Sequence, residues 1–261
     1  MLRAWHWGNR LSNRVLPKGW IDAFRQLLLF ASAYYLYRIV RGMVDGHANV
    51  AYQHARDIVD VERSLHSFVE VDVQRWALDN PFFIHLANWM YVNSHFLVTT
   101  TFLIWLYIAR NHAYYFVRNM FIVAMLFALV GYMAYPTAPP RFLPEWGFSD
   151  SVASFVGENA EQSANVLYNP FAAVPSMHVA FALMIAVPAI FLVRNRVLKV
   201  LWAIYPLVVT FVVVVTANHF WMDALLGALV AAVSAIAASE AFARARPEAW
   251  AWRTRRVKVT A

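Results

Sequence analysis

The chain has 261 residues, of which 61% are hydrophobic and only 14% are charged. A soluble domain is about half apolar and about a quarter charged, so this composition indicates an integral membrane protein. The net charge is +7, but the basic residues cluster at the two termini and in two short loops, as topology signals do. We therefore expect contact with membrane lipids and none with nucleic acid. The absence of cysteine excludes disulfides, thiolate zinc sites and a cysteine nucleophile.

Residues 1–19 carry four basic side chains and two tryptophans, and no small-residue cleavage pattern follows them. They predict a basic interfacial segment on the cytoplasmic side. A first span follows at about residues 20–44, interrupted by Arg25, Arg38 and Arg41. It is the least apolar of the candidate spans, so its outer end must be solvated or paired.

Residues 47–80 are too polar to cross a bilayer. Their apolar side chains recur at helical spacing among charged ones, which predicts one or two amphipathic helices on the outer surface of the membrane or capping the bundle. A second span begins after Pro81 and covers about residues 82–109. The first two spans and the amphipathic helices between them make up one predicted region, residues 20–113.

Residues 114–243 form the predicted core of the bundle. It holds four apolar runs, each near the ~20 residues that a bilayer requires. These runs lie at about 114–135, 175–193, 200–217 and 219–242. A loop at 136–173 contains five prolines, and loops of that length are usually functional or disordered. A basic tail, 244–261, is expected to contact anionic lipids on the cytoplasmic side. The sequence therefore predicts an all-α bundle of six transmembrane helices.

Six spans place both termini on the same side of the membrane, and the charges indicate which side. With the termini inside, the inner segments hold 16 of the 22 basic residues and the outer segments hold 11 of the 15 acids. The positive-inside rule therefore favours cytoplasmic termini. It follows that Arg141, His178 and His219 lie at the outer face.

Two motifs, at 174–178 and 216–223, place a histidine where an apolar run meets a polar loop. On a helix, His219 and Asp223 are four residues apart and point the same way. A carboxylate there can accept a hydrogen bond from one ring nitrogen and make the other a better nucleophile or base. The alternative is that Asp223 is only paired for burial. An ionisable residue in a span is nevertheless a functional candidate, because burying it is costly.

His178 begins the fourth span after Pro175, which suits a first helical turn, and Ser176 is placed to cap that helix. The amides of this turn would favour a phosphate oxygen, while His178 could protonate a leaving group. Arg141 follows two prolines and presents a guanidinium suited to bidentate phosphate contact. Taken singly, these residues have plainer interpretations: a capped helix with an interfacial histidine, and an arginine that contacts lipid headgroups.

Four further polar residues are candidates for an acceptor pocket. His85, Asn88 and His95 fall near one face of the second span, although such residues more often hydrogen-bond to neighbouring helices. Asn218 could hold a phosphate oxygen or cap the sixth helix, and the cap is the favoured interpretation. Small residues in the sixth span, among them Gly227, predict close helix packing.

In order, spacing and position, these motifs resemble those of the type 2 phosphatidic acid phosphatase superfamily of membrane phosphatases and phosphotransferases. The resemblance covers residues 114–242 best and looks closest to the branch of the inositol phosphorylceramide synthases and their bacterial relatives. It implies that His219 attacks phosphorus to form a phosphohistidine and that Asp223 orients it. It implies His178 as the acid and Arg141 as the phosphate ligand. It also implies a bacterial plasma membrane, with neither a metal nor another cofactor.

The chain departs from the superfamily's phosphatase pattern at two cation positions. Ala134 stands where that pattern has lysine, and Val213 stands where it has arginine. Met177 also replaces the usual glycine of the middle motif. The synthase-like branch lacks both cations as well, so the losses favour transfer to an alcohol such as inositol over plain hydrolysis.

We therefore predict a metal-independent phosphatase or phosphotransferase acting on a lipid or polyprenyl phosphoester. The sequence leaves its oligomeric state open, a homo-oligomer included. A transporter or flippase is the first rival class, but it predicts broken helices or inverted repeats near mid-bilayer, whereas this sequence has no internal repeat and its polar motifs lie at the ends of spans. A non-catalytic membrane scaffold is the second, and the presence of both histidines and Asp223 argues against it.

Overall fold

The computed structural model describes residues 16–43, 48–157 and 169–241. These residues form nine α-helices and no strand, which confirms the all-α prediction. The helices are α1 (Gly19–Met43), α2 (Ala48–Ser64), α3 (Glu70–Leu78), α4 (Pro81–Ala109), α5 (Asn111–Ala134), α6 (Ser151–Val156), α7 (Met177–Leu192), α8 (Arg196–Val215) and α9 (Trp221–Ile236). A π-helical turn, Met90–Ser94, interrupts α4, and another, Ala237–Ala241, continues α9. The predicted basic tail and most of the segment 1–19 lie outside the described residues.

Four helices, α4, α5, α8 and α9, are long and apolar enough to cross a bilayer. Helices α1 and α2 qualify only when counted as one span bent by 100°, and α7 is apolar but has 16 residues. Large apolar side chains project outward from these helices, including Leu97, Phe191 and Leu207. Such a surface suits lipid and not water. The structure thus supports a membrane protein with four or five candidate spans.

The segment 47–80 contains the amphipathic helices that its spacing predicts. Helix α2 has five charged residues among 17, yet Ala51, Ala55 and Val59 are fully buried along one face. That face packs against the chain that follows α5. The amide of Ala138 donates to the Ala51 carbonyl, and His54 stacks on Tyr135 with ring centroids 3.9 Å apart.

Helix α1 is held to the bundle by a polar network near its start. The carboxylate of Asp22 accepts hydrogen bonds from the hydroxyls of Tyr107 and Tyr115, at 2.8 and 3.0 Å, and from Gln26 at 3.1 Å. Arg118 of α5 also donates to Gln26. Because polar groups in a bilayer need partners within the protein, this network explains how the least apolar of the predicted spans stays attached.

The segment 174–176, which leads into α7, lies between α5 and α9. A Cβ added at Gly227 of α9 would lie 2.3 Å from the Ser176 carbonyl oxygen. A Cβ added at Gly131 of α5 would lie 2.7 Å from Cδ of Pro175. The close packing predicted for Gly227 is confirmed. Contact this tight fixes the start of α7, where His178 lies.

We expect Gly227→Ala to destabilise the protein. In an unconstrained helix this change stabilises by about 1 kcal/mol, but here the new methyl group meets backbone, so we expect a loss of about 1–3 kcal/mol. The melting temperature in detergent measures this. Leu229→Ala, on the exposed side of the same helix, is the control and should change the melting temperature little. A Gly227→Ala protein that melts at or above the wild-type temperature would contradict the packing described.

Candidate active site

One end of the bundle contains a partly open cavity of about 110 Å³. Its polar walls come from the end of α1, the loops after α5 and before α7, the start of α7, and the α8–α9 turn. They are formed by Arg41, Arg141, Asn169, His178, Asn218 and His219, with Tyr91 and Tyr132 beside them. The structure therefore brings four of the residues predicted from sequence to one place, although they span 79 positions of the chain from Arg141 to His219.

His219 and Asp223 lie in contact at the start of α9. Nδ1 of His219 is 3.3 Å from Oδ2 of Asp223, and the amide of Phe220 donates to the same oxygen at 3.0 Å. Asp223 is fully buried, while His219 lines the cavity. An ionised carboxylate can only accept, so this pairing places the proton on Nδ1 and leaves the lone pair of Nε2 available. That is the state a nucleophilic imidazole needs.

The turn before His219 has an unusual backbone. Ala217 has φ of +53°, a left-handed conformation that is uncommon outside glycine and costs about 1–3 kcal/mol. The Ala217 carbonyl accepts from the amide of Arg141 at 2.8 Å, so the turn is tied to the loop after α5. The side-chain amide of Asn218 donates to Thr216 and does not cap α9. The favoured capping prediction for Asn218 was wrong, because the N-cap position falls at Phe220.

Arg141 lies in a 3₁₀ turn, Pro140–Phe142, and is almost completely buried. Its Nε is 3.7 Å from Oδ2 of Asp150, and its guanidinium carbon is 4.9 Å from the centroid of the Phe142 ring. Asp150 is also the N-cap of α6, where it accepts from the amide of Ala153. The long loop therefore supplies a carboxylate that orients Arg141, and sequence reasoning did not identify this partner.

His178 occupies the first turn of α7. The centroid of its ring is 5.9 Å from that of His219, and 4.7 Å from those of both Tyr91 and His95. Ser176 stands at the predicted N-cap position, but its side chain makes no capping hydrogen bond. Ser176 is fully buried beside Gly227, and the structure does not bring its hydroxyl to the cavity.

Of the three polar candidates in the second span, His95 alone contacts a residue of the cavity wall. It follows the π-helical turn of α4, a feature frequent at functional sites. Asn88 instead exchanges hydrogen bonds with Ser151 of α6, at 2.9 and 3.0 Å. His85 is exposed and packs edge-on against Phe155. Asn88 therefore makes the contact with a neighbouring helix that is usual for such residues.

A family model described as the PAP2 superfamily matches residues 56–237, more than half of the chain. The chain belongs to the PAP2 superfamily. The predicted superfamily is thereby confirmed, and its members are generally phosphatases, which supports an enzyme of phosphatase or phosphotransferase type. The match begins inside α2, well before residue 114, and leaves out α1. A search of curated proteins and a search of solved structures found no match.

Two buried glutamates in the PAP2 region hold the first turn of α9 and were not singled out from the sequence. Oε1 of Glu70 accepts from the amide of Trp221, and Oε1 of Glu62 accepts from the amide of Met222, both at 3.1 Å. Both carboxyl groups are completely inaccessible to solvent. The first amides of a helix have no acceptor within that helix, so the two carboxyl groups supply the acceptors that these amides require. The sequence did contain a signal: Glu62 shares the apolar spacing of α2.

Burial and the neighbouring charge of Glu70 raise the pKa of Glu62 to about 9. Glu62 is therefore protonated at neutral pH. Its ordinary pKa is 4.5, so between these two values the folded protein holds a proton that the unfolded chain releases. The native state binds the extra proton, which means that stability falls as the pH rises from about 4.5 and that this loss is complete above about 9.

We expect Glu62→Gln to remove this part of the pH dependence, because glutamine keeps the acceptor for Met222 and has no proton to lose. Melting temperatures of both proteins between pH 6 and pH 10, on the order of one measurement per pH unit, test this. The wild type should lose stability towards alkaline pH more steeply than the variant. Glu145→Gln, at an exposed site, is the control and should follow the wild-type curve. Parallel curves for Glu62→Gln and wild type would rule the interpretation out.

Proposed function

We propose that this PAP2 protein is a membrane lipid phosphatase or phosphotransferase that acts on a lipid or polyprenyl phosphoester through a phosphohistidine. One observation carries the proposal: a histidine with a buried carboxylate partner shares a small polar cavity with a second histidine and a buried arginine. These three groups supply a nucleophile, a proton donor and a ligand for anionic oxygen.

The size of the cavity supports a single phosphate group as its occupant. Its volume of about 110 Å³ is well above the ~10–15 Å³ that a cavity needs to hold one water molecule, so a phosphate group can enter it. The apolar part of the substrate would then lie outside the cavity, along the lipid-facing surface of the helices.

In the first step, Nε2 of His219 attacks phosphorus and a nitrogen–phosphorus bond forms as the bond to the leaving oxygen breaks. His178 gives that oxygen a proton. Arg141 contacts the remaining oxygens, on which charge is concentrated in the transition state. Asp223 holds the proton on Nδ1 and stabilises the positive charge that develops on the imidazole.

In the second step, a hydroxyl attacks the phosphohistidine and the nitrogen–phosphorus bond breaks. His178, which has lost its proton, now takes one from the attacking group. Water gives hydrolysis, whereas an alcohol such as inositol gives transfer of the phosphoryl-containing group. The neutral residues Ala134 and Val213 favour transfer, as in the inositol phosphorylceramide synthase-like branch, and no metal or other cofactor takes part in these steps.

We further propose six spans, α1, α4, α5, α7, α8 and α9, with α2 and α3 on the outer surface. The ends of α1, α5 and α8 and the starts of α7 and α9 all border the cavity, which supports alternating directions through the membrane. Helix α7 is about 24 Å long, shorter than a ~30 Å hydrocarbon core, so the cavity would lie slightly below the surface. Cytoplasmic termini in a plasma membrane would make the cavity extracytoplasmic.

Phosphate release by the purified protein from a panel of lipid phosphates and diphosphates, with and without inositol, tests the proposal. We expect His219→Ala to lower turnover by roughly 10⁴-fold or more, and Asp223→Asn by roughly 10²–10⁴-fold. His85→Ala is the matched control, because this exposed histidine lies away from the cavity, and it should retain wild-type turnover. A product that forms only with inositol present would identify a transferase.

Trapping radiolabelled phosphate on the protein distinguishes the mechanism from other hydrolytic routes. We expect an acid-labile label on His219 that is absent from His219→Ala. Turnover retained by the His219→Ala variant would contradict the phosphohistidine mechanism. Folded protein that is silent with every lipid would instead favour a transporter or a membrane scaffold.

A further inference from the structure

The cavity contains a second guanidinium, which comes from outside the region matched by the family. Arg41 lies at the end of α1, whereas the match begins at residue 56. Its side chain nevertheless lines the same cavity as Arg141, His178 and His219. Neither spacing nor motif connects Arg41 with these residues, since the nearest of them is 100 positions away.

Both the backbone and the side chain of Arg41 are held in place. The side-chain amide of Asn169 donates to its carbonyl oxygen at 3.1 Å. Its guanidinium carbon lies 5.3 Å from the centroid of the Tyr132 ring. Tyr132 is itself almost completely buried, and its hydroxyl contacts the Pro175 carbonyl at 3.4 Å. Arg41 is thus packed into the wall of the cavity. An arginine that only set the membrane topology would instead extend toward the lipid headgroups.

The charges around the cavity favour an anion between the two arginines. Among the described residues that form its walls, none is acidic. Two carboxylates of the described residues contact groups at its walls: Asp150 lies 3.7 Å from Nε of Arg141, and Asp223 accepts from the amide of Phe220 beside His219. Two guanidinium groups on one small cavity repel each other, and a phosphate placed between them converts that repulsion into attraction.

We propose that Arg41 is a second phosphate-binding residue, which contacts the substrate's phosphate from α1 while Arg141 contacts it from the loop after α5. This inference rests on the proposed function, because it assigns a ligand to the same phosphate. Arg41 would supply a cation that Ala134 and Val213 do not. Helix α1 is then part of the active site and not only a membrane anchor.

Inorganic phosphate is the probe for the test, because its binding does not depend on turnover. The full chain is purified in detergent, and phosphate affinity is measured from the melting temperature as phosphate is added. We expect Arg41→Gln to weaken phosphate binding roughly 10- to 100-fold, and Arg41→Lys to weaken it less. Arg25→Gln is the matched control. Arg25 is exposed and lies on the same helix, about 24 Å away along its axis, so phosphate affinity should not change.

Arg41→Gln with wild-type phosphate affinity would overturn the inference. Should this variant fail to fold, arginine modification of the wild-type protein by phenylglyoxal decides the question. Bound phosphate should protect Arg41 and Arg141 and leave Arg25 reactive, and an Arg41 that stays reactive would overturn the inference. These readouts separate the two proposals: phosphate binding that depends on Arg41, without turnover of any lipid, supports this inference while contradicting the proposed function.

Discussion

The first turn of α9 packs into the protein, and its amides find their acceptors there. The amides of residues 220–222 donate to Asp223, Glu70 and Glu62, which belong to three different helices. A buried amide without a partner costs about 1–3 kcal/mol, so the three carboxyl groups and this turn stabilise one arrangement together. His219 immediately precedes the turn. Its position therefore depends on α2 and α3 as much as on α9.

The rest of the cavity is assembled through close backbone contacts. The amide of Ser176 donates to the Asp223 carbonyl at 3.0 Å, which connects the entry of α7 to the same turn of α9. The amide of Arg141 reaches the Ala217 carbonyl, and Gly227 allows α9 to approach residues 174–176. Backbone contacts of this kind leave little freedom, so the relative positions of the two histidines and the arginine are set before any substrate arrives.

The sequence predicted what depends on local pattern. Hydropathy and helical spacing located every described helix except α6, which lies in the predicted loop. The four-residue spacing placed His219 beside Asp223, although His219 precedes α9 and only Asp223 lies in its first turn. Ser176 takes the predicted N-cap position without a capping bond, and the cap assigned to Asn218 was wrong because its side-chain amide donates to Thr216, two residues earlier. The amide of Met222, which donates to Glu62, lies 160 residues away along the chain, and no periodic pattern encodes a contact at that separation. The six-span count and the chemical roles remain predictions.

The polar network of Asp22 bears on where this protein can be divided. Helix α1 precedes the recognisable PAP2 region, yet it is joined to α4 through Tyr107 and to α5 through Tyr115. Its opposite end forms a wall of the cavity. The family match begins at residue 56, but the residues before and after that position belong to one structural unit. A protein trimmed to the matched residues would lose a cavity wall and would leave the hydroxyls of Tyr107 and Tyr115 without their acceptor.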